Sequence, residues 1–128
     1  MKKLIAVAFS FLLIAVVNAE PTPDFSEVDT REKALKLVQQ GQLFEVLLLP
    51  TELGGKNEPR NIVFVPEDIS AAHEQNTQNV LSLIKDKLIN RLEVQPVYKE
   101  NSFVPSQVKM IGRHSVEKRR FITVLNIW

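Results

Sequence analysis

Hydrophobic and polar positions recur along the chain with spacings that predict two helices and five strands. Apolar residues at helical spacing predict a first helix from Asp29 to about Gln40 and a second helix that begins at Asp68 or Ser70 and reaches about Arg91. Apolar or alternating stretches bounded by proline, glycine and polar residues predict strands at 42–49, 61–65, 92–99, 107–114 and 121–128.

The order of these elements, α-β-β-α-β-β-β, predicts the fold class. We expect an α+β domain over residues 29–128, with a mostly antiparallel sheet of about five strands and two helices on one face. Pro96 predicts that the strand 92–99 lies at an edge of the sheet, because proline lacks the N–H that a central strand needs. Gly112 indicates a bulge in the next strand.

Residues 1–19 have the three-part layout of a secretory signal peptide. Two lysines precede an apolar run from Leu4 to Val17, and small residues stand before a cleavage site predicted after Ala19. The apolar run is shorter than a bilayer-spanning helix, and a leader with two prolines, residues 20–28, follows and is expected to be flexible. We therefore expect a bacterial protein exported to the periplasm, with secretion as the alternative and no transmembrane span.

Composition and motifs exclude several chemistries. The 128 residues include no cysteine, which excludes a disulfide scaffold and a thiolate metal site, and 16 Lys+Arg balance 15 Asp+Glu, which argues against a nucleic-acid binder. His73 and Glu74 begin a zinc-protease motif, but Thr77 stands where the second histidine is required. We expect no metal, no cofactor and no enzymatic activity. A hydrolase assembled from scattered acids and histidines is the alternative, because catalytic triads are defined by geometry.

Basic residues concentrate in the C-terminal part of the chain. Eleven acids accompany five bases from Glu20 to Ile84, whereas nine bases accompany four acids from Lys85 to Trp128. The predicted hairpin of the last two strands carries Arg113, His114, Lys118, Arg119 and Arg120. We interpret this hairpin as a surface that docks an envelope protein or an anionic envelope surface. The alternative interpretation is that solvated charges protect the strand edges from aggregation.

Polar residues interrupt the buried stripe of the second helix. Extending the stripe backwards from Val80 reaches His73, Asn76 and Thr77. They could line a polar pocket for a small molecule, or a hydrolytic site, with Glu74 at its rim. The simpler interpretation is that the first turns of the helix extend past the core into water, since burying unpaired polar groups is costly.

Three further expectations concern binding and assembly. The segment 103–105 is either an apolar binding lip or a cluster packed under the sheet, and we expect Trp128 to belong to the core. A homodimer formed through the edge strand 92–99 is a third alternative. The function favoured by the sequence is that of an exported binding protein.

Overall fold

A computed structural model describes residues 23–128, so the predicted signal peptide, residues 1–19, lies outside the described residues. Along the chain run α1 (Arg31–Gln39), β1 (Phe44–Leu47), β2 (Ile62–Val65), α2 (Glu67–Lys85), β3 (Arg91–Val97), β4 (Gln107–Arg113) and β5 (Arg120–Asn126). Two short 3-10 helices, Thr51–Leu53 and Pro59–Asn61, separate β1 from β2. The class is α+β, and the order of elements differs from the expected one by these two 3-10 helices.

The strands form two antiparallel sheets where the sequence predicted one. β1 pairs with β2, while β3, β4 and β5 form a three-stranded sheet with β4 in the centre. The strand that contains Pro96 is therefore an edge strand of the larger sheet. The alternating pattern gives each strand a buried face but does not specify which strand pairs with its edges, and this is why the division into two sheets was missed.

A side-chain cap sets the start of α1, and backbone geometry sets the end of α2. Thr30, and not Asp29, is the N-cap of α1, and its hydroxyl accepts a hydrogen bond from the Lys33 N–H at 3.1 Å. The helix α2 ends at Lys85, six residues before Arg91, because Lys87 adopts a left-handed conformation with φ of 58°. Hydrogen bonds from the next N–H groups then satisfy the last carbonyls of the helix, as in a Schellman motif.

Two hydrophobic clusters hold the elements together. The larger contains Ala34 of α1 together with Val63 and Val65 of β2, all almost completely buried. The smaller lies between α2 and the three-stranded sheet and contains Val80, Ile89 and Met110. Both clusters remove apolar side chains from water, and this hydrophobic effect is the main contribution to the stability of the fold.

Gly112 lies against Ile89 of the smaller cluster and forms no bulge. The register from β3 through β5 is continuous, with Gly112 between Leu92 and Phe121. A Cβ atom on Gly112 would lie 2.7 Å from Cδ1 of Ile89. The glycine is therefore explained by the close approach of Ile89 and not by an interrupted ladder.

Part of the segment expected to be a flexible leader packs on the domain. Val28 is 7% exposed, and its carbonyl accepts a hydrogen bond from the Phe103 N–H at 2.7 Å. The Phe25 ring packs edge-on against Trp128, with ring centroids 6.0 Å apart. Burial of these side chains favours an ordered conformation of residues 25–28, whereas the prolines of the segment predicted flexibility.

Candidate functional site

Three arginines stand side by side across the three-stranded sheet. Arg91 of β3 lies opposite Arg113 of β4, and Arg113 lies opposite Arg120 of β5. Side chains directly opposite one another project from the same face of a sheet, with Cβ atoms about 5 Å apart. All three are exposed. We call Arg91, Arg113 and Arg120 the arginine row.

The arginine row has no acidic partner within residues 23–128. The ion pairs of this part of the chain are Lys33–Asp29, Arg60–Glu58 and Arg119–Glu117. Glu93, two residues from Arg91 on the same face, accepts a hydrogen bond from Gln95 and forms no ion pair with the row. Like charges directly opposite one another disfavour strand pairing. Guanidinium groups bind carboxylates and phosphates through paired hydrogen bonds, and three of them together form a surface that attracts an anion.

Exposed apolar side chains lie next to the arginine row on the same face. Ile111 of β4 lies opposite Ile122 of β5, which is 49% exposed. Val124, two residues further along β5, is 40% exposed. Arginine beside apolar side chains is the composition enriched in protein interfaces. We call the arginine row together with Ile111, Ile122 and Val124 the open face.

The structure brings together two of the five predicted hairpin residues, Arg113 and Arg120, and adds one that the sequence analysis missed. Arg91 was expected near the end of the second helix, but it begins β3 because α2 ends earlier. Its signal in the sequence is weak, since only the register of β3 against β4 places it opposite Arg113.

The other three predicted hairpin residues lie in the turn between β4 and β5. Nδ1 of His114 accepts hydrogen bonds from the N–H groups of Val116 and Glu117 at 3.2 and 3.0 Å. Arg119 pairs with Glu117 at 2.6 Å, and Lys118 is exposed with a left-handed φ of 51°. His114 and Arg119 are therefore engaged in contacts within the turn.

A cavity of about 590 Å³ lies between β1 and the N-terminal half of α2. Of the three residues predicted to line a polar pocket, His73 and Thr77 line this cavity and are 5% and 7% exposed, whereas Asn76 is half-buried and is not in the lining. The interpretation that these turns stand in water is therefore wrong for His73 and Thr77. The volume of the cavity falls in the range of ligand-binding pockets, about 300–1,000 Å³.

The burial of His73 is compensated on one side of its ring. Nε2 lies 2.8 Å from the carbonyl oxygen of Leu47, and it donates because a carbonyl oxygen only accepts. Nδ1 is buried and has no hydrogen-bond partner within the described part of the chain. An unpaired buried acceptor is costly, so the hydrogen bond of Nε2 compensates the burial of this ring only in part.

Carboxylates dominate the charge of the cavity. Glu45, Glu52, Glu67 and Glu74 line it, while no lysine or arginine does. None of these glutamates belongs to an ion pair within residues 23–128. The cavity therefore has the electrostatics of a site for a positively charged group.

A second cavity, of about 480 Å³, includes Phe103 of the predicted binding lip. Phe103 is 41% exposed beside Tyr98, whereas Val104 and Pro105 are completely buried. The segment is thus divided between the two interpretations. Burial raises the pKa of the Tyr98 phenol.

Comparisons of the chain with protein-family models, with curated proteins and with solved structures find no match. Within the described residues no helix is long and apolar enough to cross a membrane. In the same part of the chain, no three histidine or carboxylate side chains cluster as ligands for a metal ion. The open face and the cavity are therefore the features that bear on function.

Proposed function

We propose that this chain is an exported, periplasmic binding protein that docks an acidic protein partner of the cell envelope through the open face. The location rests on the signal-peptide pattern of residues 1–19. The docking role rests on one observation above all, which is that the arginine row forms no ion pair within residues 23–128. A fold that accepts like-charge neighbours on an exposed surface gains from them when an acidic partner binds.

The neighbouring apolar residues favour a protein over a bare anionic lipid surface. Ile111, Ile122 and Val124 lie on the sheet face itself, where a complementary protein surface could cover them. Arginine is enriched in protein interfaces, and the buried centre of an interface is more apolar than its rim. Lipid headgroups would neutralise the arginines but would leave these apolar side chains against a polar layer.

The test is a pull-down from envelope extract with the exported protein at low and at high salt. We expect one acidic partner to be captured at low salt and lost at high salt, because screening weakens exposed charge pairs. R113E and R120E should each weaken capture at least about tenfold by reversing a charge at the interface centre. K36E is the matched control, since Lys36 is an exposed lysine of α1 that lies outside the three-stranded sheet.

A second arm separates protein from lipid. Vesicles of phosphatidylglycerol are tested for binding under the same salt conditions. Binding to these vesicles without capture of a protein would contradict the protein assignment. Capture that survives both R113E and R120E would contradict the role of the open face.

The cavity beside His73 is the second candidate site, and its volume and its four glutamates favour binding of a positively charged group there. No hydroxyl or carboxylate within residues 23–128 makes a hydrogen bond with His73, so we propose binding and not hydrolysis for this cavity.

A further inference from the structure

One edge of β1 is free of backbone partners. Within residues 23–128, β1 pairs with β2 and with no other strand, and the Leu48 N–H donates to the Asn61 carbonyl at 2.8 Å in the same register. Antiparallel pairs alternate between bonded and non-bonded, so Phe44 and Val46 also bond towards β2. Glu45 and Leu47 must therefore direct their N–H and C=O groups to the opposite edge.

That free edge opens into the acidic cavity. Four consecutive residues of β1, 44–47, line the cavity together with one face of α2. Of the edge groups, only the Leu47 carbonyl has a partner within residues 23–128, the Nε2 of His73. The N–H and C=O of Glu45 and the N–H of Leu47 have none. An exposed strand edge is a template on which another strand can pair.

The charges around the edge select the occupant. Glu45, Glu52, Glu67 and Glu74 surround it without a cationic neighbour in the lining. A second copy that paired edge to edge through β1 would bring two such sets of glutamates together, which repulsion disfavours. A positively charged strand meets no such penalty.

We propose that this groove, formed by the free edge of β1 and α2, binds an extended peptide segment rich in lysine or arginine, which adds as a strand to β1. Strand addition takes affinity from main-chain hydrogen bonds and specificity from alternate side chains. Here Glu45 supplies a donor and an acceptor to the incoming backbone, and the glutamates pair with its cationic side chains. The hydrogen bond from His73 closes the edge at Leu47, so the added strand ends there.

This inference goes beyond the docking function proposed above, because the groove and the open face are different surfaces with opposite charge. R113E and R120E should leave peptide binding unchanged. Substitutions in the groove should leave capture of the acidic partner unchanged. The two proposals can therefore fail separately.

The probe is the capped peptide Lys-Val-Lys-Val-Lys-Val-Lys, titrated into the protein while backbone amide signals are followed by NMR. We expect the amide N–H groups of Glu45 and Leu47 to gain protection from hydrogen exchange, since the new strand bonds to them. The N–H groups of Phe44 and Val46 already bond to β2 and should change little. Only strand addition produces this alternation.

Two peptides of matched design separate strand pairing from charge. Lys-Pro-Lys-Pro-Lys-Pro-Lys has the same charge, but its prolines remove three N–H donors and fix φ near −65°, away from the geometry of a β-strand, so we expect it to bind at least about tenfold more weakly. Glu-Val-Glu-Val-Glu-Val-Glu keeps the strand propensity with the opposite charge and should not bind. Equal binding of the valine and proline peptides would overturn the proposal, as would no binding of the valine peptide at about 1 mM.

Variants of the protein test the same two contributions. E45Q and E74Q should each weaken the valine peptide several-fold by removing a charge. E45P removes the free N–H as well and should abolish binding, while the β1–β2 ladder persists because that N–H does not face β2. E32Q, at an exposed glutamate of α1, is the control and should bind as the natural protein does. If E45P unfolds, the proline peptide tests the same hydrogen bonds from the other side.

Discussion

The Nε2 atom of His73 lies 2.8 Å from the carbonyl oxygen of Leu47, and this hydrogen bond joins α2 to the end of β1. His73 is 5% exposed, so the bond lies where water does not compete for it. It positions the helix beside the strand and thereby forms one wall of the acidic cavity. The contact links the stability of the domain to the shape of its groove.

We expect H73A to lower the free energy of unfolding by about 2 to 4 kcal/mol. The substitution leaves the Leu47 carbonyl without its donor and removes a buried ring. Urea denaturation followed by the fluorescence of Trp128, the only tryptophan, measures the change. Q78A changes an exposed residue of the same helix and should shift stability by no more than about 0.5 kcal/mol. Equal stability of H73A and the natural protein would contradict the role given to this bond.

Periodicity accounts for the elements of the fold better than for their ends. The stripe that includes Val80 predicted α2, but the helix ends at Lys85 because Lys87 takes a left-handed φ of 58° that favours glycine or asparagine. The left-handed conformation of a lysine is not recognisable from the sequence. The missed ending also misplaced Arg91, which was assigned to a helix and in fact begins β3.

The candidate sites show the same limit. Arg113 and Arg120 were predicted from their density in the sequence, but Arg91 requires the strand register. Water around His73 was the simpler expectation because an unpaired imidazole is costly to bury. The structure compensates that cost with a carbonyl 26 positions away in the chain, and such distant partners leave no local pattern.

The pair Gly54–Gly55 allows a matched test of the loop between β1 and β2. A Cβ atom on Gly55 would lie 1.8 Å from the Leu49 carbonyl oxygen and 2.9 Å from that of Pro50, and neither backbone atom can move freely. We expect G55A to cost about 3 kcal/mol or more. Gly54 has a φ of 88° with open space around it, so G54A should cost only the conformational strain, about 1 to 2 kcal/mol. Thermal unfolding of both variants gives the comparison, and a smaller loss for G55A than for G54A would contradict it.

Tyr98 is the only tyrosine, so its ionisation can be followed directly by ultraviolet absorbance. Tyr98 is 47% exposed, and its partial burial raises the pKa of this phenol above its usual value of about 10, because the phenolate is harder to desolvate than the neutral ring. The folded protein should therefore titrate at higher pH than the protein unfolded in denaturant. Because the folded pKa is the higher one, the folded state holds the phenol proton to higher pH. The free energy of unfolding is therefore unaffected below the unfolded pKa and falls as the pH rises through the folded pKa. A folded midpoint at or below the unfolded one would contradict the partial desolvation of the phenol.

Removing the central charge of the arginine row should stabilise the protein while it weakens docking. Arg113 has an arginine directly opposite on each side, so R113T should raise the free energy of unfolding by about 0.5 to 1 kcal/mol at low salt. The gain should shrink as salt screens the repulsion. Lys109 on the same face lies opposite Gln95 and Val124, so K109T removes a charge without like-charged partners opposite and should gain little.

Urea denaturation of both variants at two salt concentrations measures these gains. The same R113T protein should capture less of the acidic partner in the pull-down, since the interface loses its central guanidinium. A gain in stability together with a loss of capture would mean that the arginines are kept for binding at the expense of the fold. A loss of stability in R113T would mean instead that Arg113 supports the sheet, and the main argument for the open face as a docking surface would fail.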